Sequence, residues 1–134
     1  MTDFTPADLF DFTDTINVSG TSLVAEVTPA ELGCVSFEAL VARLVTLTGQ
    51  NPVELSDGVK TSVEFVGTFR GAVFALYDWK GDLSALHVGG HPGFPVDEFR
   101  RTLRAALAVV EPTPYRASAN YGGGLTVHGW PVGQ

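Results

Sequence analysis

Glu64, Tyr77 and His87 are the side chains whose types could do chemistry together, and the indole of Trp79 stands close to them in the sequence. A carboxylate, a phenol and an imidazole on neighbouring strands could exchange protons or hold a polar ligand between aromatic rings. Val66 and Val73 alternate onto the same face, which makes it partly apolar. Tyr and Trp on such a face equally suit a protein or dimer interface, where both are enriched. Interface, ligand face and catalysis are the three readings these residues allow, and only the first two find further support in the sequence. A second candidate is the run His87-Val88-Gly89-Gly90-His91-Pro92-Gly93, which leads from a strand into the start of a helix. Free backbone N–H groups there could take an oxyanion, with Arg70 nearby. The run lacks the Lys and Ser/Thr of a phosphate-binding loop, and Asp97 and Glu98 follow it, so a plain Gly/Pro turn is the competing reading.

Metal and nucleophile chemistry have weaker footing. His87, His91, His128 and Cys34 match no zinc spacing, and Cys34, the single cysteine, reads as a small buried filler just ahead of a helix cap. No G-x-S-x-G elbow is present. The expectation is therefore no catalytic residue, no metal and no cofactor. The candidate contact residues are Glu64, Arg70, Tyr77, Trp79, His87, Gly89, Gly90 and His91.

These side chains must be positioned by a meander of three strands: Lys60 to Phe69, Ala72 to Trp79 and Leu83 to Val88. The two-residue link Arg70-Gly71 opposes Phe69 to Ala72, Gly67 to Phe74 and Phe65 to Leu76. A three-residue loop, Lys80-Gly81-Asp82, then sets Leu86 near Leu76 and Val88 near Phe74. One face carries Phe65, Phe69, Phe74, Leu76, Leu86 and Val88. The other carries Glu64, Val66, Val73, Tyr77, Trp79, Ala85 and His87. Upstream, Thr5-Pro6-Ala7-Asp8 and Thr28-Pro29-Ala30-Glu31 share a Thr cap, a Pro at the first helical position and an acid at the third, so both open short helical turns. Ser22 to Val27 reads as a strand between them. Ser36 caps a helix over Phe37–Leu47, with Phe37, Leu40, Val41, Leu44 and Val45 at helical spacing and Gly49 beyond its end. Gln50 to Val59 reads as a loop. Pro95 opens a second helix to Val110, which Pro112 and Pro114 terminate. Tyr121-Gly122-Gly123-Gly124 precedes a last strand, Leu125 to His128. The fold class is α+β: an antiparallel meander of three to five strands with two helices packed on one face.

The chain of 134 residues is 45% hydrophobic and 17% charged, the composition of one ordinary globular domain. Its longest apolar run falls far short of a membrane span, and MTDFTPADLF is no secretory signal, so a cytoplasmic protein is expected. The net charge of −7 sits in the first third, where residues 1 to 42 hold acids but neither Lys nor Arg. Without a basic stripe, direct nucleic-acid binding is not expected. The acidic third could steer the chain to a basic partner, or serve solubility.

SFEALVARL, TSVEFVGTFRGAVFALYDWKG and LHVGG, within Ser36 to Gly90, resemble small bacteriophage-encoded proteins that place a helix before a meander with an aromatic-acid strand and a HxGG strand end. The resemblance implies a small accessory protein in the cytoplasm of a bacterial host, which binds and neutralises a host protein or a small nucleotide-like ligand. It transfers no catalytic residue. Two alternatives accompany that reading: a sponge for a nucleotide or other anion, and a small hydrolase. The exposed patch of Val66, Val73, Tyr77 and Trp79 calls for cover. Either the N-terminal segment folds over it through Phe4, Leu9, Phe10 and Phe12, or a second copy covers it in a homodimer, which the interleaved aspartates favour.

Overall fold

Ser36 starts the first long helix, α1 (Phe37–Thr48): its hydroxyl accepts the Ala39 N–H at 3.0 Å, and Gly49 closes the helix at φ 70 with its N–H on Val45 O. The stripe Phe37, Leu40, Val41, Leu44 and Val45 is buried as its spacing requires. The computed structural model describes residues 6–13, 15–56, 60–80 and 82–110, and the backbone of 116–120 and 124–128. Phe4, Thr5, Asp57-Gly58, Gly81, Pro112, Pro114 and Tyr121-Gly122-Gly123, on which some of the sequence expectations rest, lie outside those residues. So does the side chain of His128.

Gln50 to Val59 is not all loop. Asn51 caps a one-turn helix, α2 (Pro52–Leu55), by accepting the Val53 and Glu54 N–H groups, and Pro52 stands at its first position, the start signal that Thr28-Pro29 also carries. The Thr28 motif forms a reciprocal capping box, Thr28 N–H to Glu31 Oε1 at 2.8 Å and Glu31 N–H to Thr28 Oγ1 at 3.1 Å, around a 3-10 turn Ala30–Leu32. The second long helix, α3 (Val96–Leu107), stops three residues short of the expected Val110. Arg43 of α1 caps this end: its Nη1 donates to Leu107 O at 3.2 Å and Val110 O at 2.7 Å, carbonyls past which the helix no longer supplies N–H groups.

Five strands make one antiparallel sheet: β1 (Phe10–Asp11), β2 (Ser22–Val27), β3 (Glu64–Phe69), β4 (Ala72–Trp79) and β5 (Asp82–Gly90), in the order β1-β3-β4-β5-β2. The fold is α+β. Between β3 and β4 the register is the expected one, and Arg70 and Gly71 sit at φ 50 and 83, the left-handed pair of a tight hairpin turn. The β4–β5 link differs. Trp79 opposes Asp82, so the link is two residues long, and a register shift between Tyr77 and Trp79 then sets Leu76 opposite Val88 and Tyr77 opposite His87. The three-residue loop is thus replaced by a shorter link plus an irregularity. The irregularity amounts to three residues, and with the link one residue shorter it moves the pairing by two from the expected register, Leu76 opposite Val88 rather than Leu86, so each side chain keeps its expected face. β5 also runs on through Gly89 and Gly90, and β3 starts at Glu64 rather than Lys60.

Phe65, Phe69, Phe74, Leu76, Leu86 and Val88 meet α1 and α3 in one buried cluster. Phe10 and Phe12 join it, stacked at 5.0 Å between centroids and edge-on to Phe74 at 6.0 and 6.2 Å. Leu9, Phe10 and Phe12 therefore pack on the helix side of the sheet, not over the outer face. Gly67 makes room for it: a Cβ there would collide with Asp11 O, with Phe12 Cα 3.3 Å away. Past the helices, β6 (Arg116–Asn120) and β7 (Gly124–His128) form a separate antiparallel hairpin whose first strand runs against α1. No helix among the described residues is long and apolar enough to cross a membrane.

Candidate functional site

The outer face of the sheet is built by simple alternation: along β4, Phe74 and Leu76 point to the helices, while Tyr77 and Trp79 lie on the opposite side. Because Glu64 opposes Tyr77 and Tyr77 opposes His87, the three predicted residues form one straight row across β3, β4 and β5. The pairing of β2 with β5 adds a fourth member, since Glu26 opposes His87 with Oε2 3.9 Å from Nε2. The row runs carboxylate, phenol, imidazole, carboxylate.

Tyr77, Trp79 and His87 touch as rings. Tyr77 meets His87 edge to face at 5.5 Å and Trp79 at 6.4 Å, while Trp79 and His87 lie nearly parallel, 19° apart at 6.3 Å. Trp79 is 37% exposed. The chain has two lysines, and both ammonium groups lie over that indole, Lys60 at 5.8 Å and Lys80 at 5.6 Å. The backbone brings them there: Lys80 N–H donates to Lys60 O at 2.7 Å, tying the β4–β5 turn to the segment before β3. Burial, and then the Glu64 carboxylate, push the Tyr77 phenol above its ordinary range. At the rim, hydrogen bonds from the Ser84 hydroxyl and N–H hold the Asp82 carboxyl below its ordinary range, and the charge of His87 adds to this. No hydrogen bond joins Tyr77 to His87 among the described residues. The arrangement can stack a planar group, accept donors at either end and bury an apolar contact.

The second candidate comes apart. Gly89 and Gly90 are strand residues opposite Ala75 and Phe74, so their N–H groups belong to the ladder rather than to an anion loop. Their lack of side chains serves packing. A Cβ on Gly89 would press on the Tyr77 ring at 3.4 Å, and one on Gly90 on the Phe94 ring at 3.1 to 3.3 Å. His91 is exposed and leads a turn in which Phe94 N–H donates to His91 O. With Gly71 to Val73 and Pro92 to Phe94 it lines a cleft of about 220 Å³. Arg70 is spoken for by Glu98, Nε to Oε2 at 2.6 Å. The structure thus unites Glu64, Tyr77, Trp79 and His87, and sets Arg70 and His91 apart from them.

Two buried polar side chains hold this face in place. The Gln50 amide sits where a neighbouring strand would continue: Oε1 accepts Val66 N–H at 3.0 Å, and Nε2 donates to Val66 O at 2.8 Å and Phe12 O at 2.6 Å. Asp78, fully buried and between Tyr77 and Trp79 along β4, accepts the Ser62 and Val63 N–H groups through Oδ1 at 2.7 and 3.0 Å, fixing the entry to β3. Sequence reasoning missed Glu26, Lys60, Lys80, Gln50 and Asp78. Lys80 beside Trp79 was the one local signal available; the others depend on contacts far apart in the chain. Among the described residues no three His, Cys, Asp or Glu side chains gather as metal ligands. Compared with known proteins, the chain matches no family model, no curated protein and no solved structure.

Proposed function

We propose that this chain is a non-enzymatic binding protein whose outer sheet face docks a partner protein. The observation that carries the reading is the ring cluster Tyr77, Trp79 and His87 on the face opposite the helices, ended on either side by Glu64 and Glu26. Rings at the centre and charges at the edge are the distribution in which a few aromatic anchors carry most of the binding energy. The terminal carboxylates and the net charge of −7 favour a partner with a basic surface. With the resemblance of Ser36 to Gly90 to phage-encoded proteins, this makes the chain an accessory protein that occupies and blocks a host component in the bacterial cytoplasm.

The test compares wild type, Tyr77→Ala and Trp79→Ala in capture from host lysate, with circular dichroism as a check on folding. Either substitution should abolish a partner that wild type retains. Capture by both folded variants at wild-type level would reject this face. Light scattering on the same samples identifies the occupant: a dimer that both substitutions dissociate would make it a second copy. Stacking of a nucleotide base on the rings is a weaker reading, because the glycine run expected to take its phosphate is built into β5.

A further inference from the structure

A cleft of about 270 Å³ opens away from the sheet face, between the turn after β2 and the facing helices, lined by Leu32, Gly33, Arg43, Arg104, Leu107 and Ala108. Two guanidinium groups border it, one from α1 and one from α3. Arg70 and Arg100 each have a carboxylate partner, Glu98 and Asp97, but among the described residues neither Arg43 nor Arg104 has one within 4.0 Å. This is notable in a chain of 15 acids and 8 bases. Glu31, whose backbone carbonyl accepts from Arg104, turns its carboxylate back into the capping box on Thr28 N–H.

Both arginines are held in place by backbone. Arg43 Nη1 is fixed on Leu107 O and Val110 O, and Arg104 Nη1 on Glu31 O at 3.3 Å. A guanidinium has five N–H donors in a rigid fork, so one nitrogen can anchor each group while the remaining edge stays directed elsewhere. Gly33, left-handed at φ 78, keeps the wall thin where Arg104 passes: a Cβ there would stand 3.7 Å from Nε. The carbonyls at the end of α3 would repel an anion, but Arg43 already neutralises two of them.

We infer that this cleft is an oxyanion site, in which Arg43 and Arg104 together hold a carboxylate or phosphate group through charge-assisted hydrogen bonds. The site is independent of the outer face and stands whether or not that face docks a partner.

The experiment is an amide NMR titration of the full chain with inorganic phosphate and, separately, with succinate, each against sodium chloride at matched ionic strength. Saturable shifts at Gly33 and Ala108 are expected, with apparent Kd in the millimolar range or below. Arg104→Gln should weaken them at least tenfold, whereas Arg101→Gln on the exposed side of α3 should leave them unchanged. Arg104→Gln is the variant of choice because Arg43 also caps α3. Saturation by both probes, by phosphate alone or by succinate alone would each support the site and name its preferred oxyanion. Absence of saturation with either probe, or equal shifts in wild type and Arg104→Gln, would overturn it.

Discussion

Replacing Gln50 with alanine should cost far more than the loss of one polar side chain suggests. Gln50 is 4% exposed, and its amide satisfies three backbone groups at once: Val66 N–H, Val66 C=O and Phe12 C=O. Truncation leaves all three without that partner at a position where Val66 is itself buried. A buried backbone group stripped of its bond costs roughly 1–3 kcal/mol. Taking the low end for each, because the sheet edge lets some water return, gives about 3 kcal/mol. In urea, with a slope near 1.5 kcal/mol/M, the midpoint should fall by about 2 M at unchanged slope. Gln50→Glu sharpens the test, since it keeps the shape but replaces the two donated bonds by a carboxylate facing two carbonyls. Those neighbours and burial raise the folded-state pKa of the introduced carboxyl, so the native state holds the proton to higher pH than the unfolded state does. The variant should therefore be most stable below the ordinary glutamate range and lose stability as pH rises through the raised pKa, a trend absent from Gln50→Ala. A loss below about 1 kcal/mol for Gln50→Ala, or equal pH profiles for the two variants, would refute the role of Gln50 as a substitute strand.

Gly67→Ala should destabilise the fold by roughly 1–3 kcal/mol and raise hydrogen exchange at Arg70, whose N–H donates to Leu9 O, because the new Cβ must displace the backbone at Asp11. Leaving both unchanged would mean that β1 does not pack over Gly67. The Tyr77 phenol, raised by burial and by Glu64, should ionise above the usual tyrosine range. Its folded pKa exceeds the unfolded one, so its contribution to stability is intact below about pH 10 and is lost as pH rises beyond it. Ultraviolet titration of wild type minus Tyr77→Phe measures the shift, and Glu64→Gln should bring it partly down, burial being the larger cause; no movement would remove Glu64 from the row.

Local chemistry in the sequence determined the caps, the β3–β4 turn and the division of faces. Ser36, the Thr28–Glu31 box and Arg70-Gly71 act through atoms within four residues of one another, so their outcome does not depend on the rest of the chain. Alternation along β3, β4 and β5 likewise decided which side chains share a side, and the side of Glu64, Tyr77, Trp79 and His87 survived an error in the β4–β5 link because the shorter link and the three-residue irregularity together moved the pairing by two. What lay beyond the sequence was set by contacts between distant segments. Nothing local in Ser22 to Val27 says that it pairs with β5, so Glu26 joins the row only once the apolar side of that strand is buried. Phe10 and Phe12 were equally suited to either side of the sheet; they entered the helix side, where Gly67 leaves space and Phe69, Phe74 and Phe99 supply ring partners. Gly89 and Gly90 looked like a loop because glycine marks both turns and close approach, and only the rings of Tyr77 and Phe94 above them decide between the two. Gln50 and Asp78 carry no sequence signal, since a polar side chain becomes a backbone partner only when folding buries an unpaired N–H or C=O beside it.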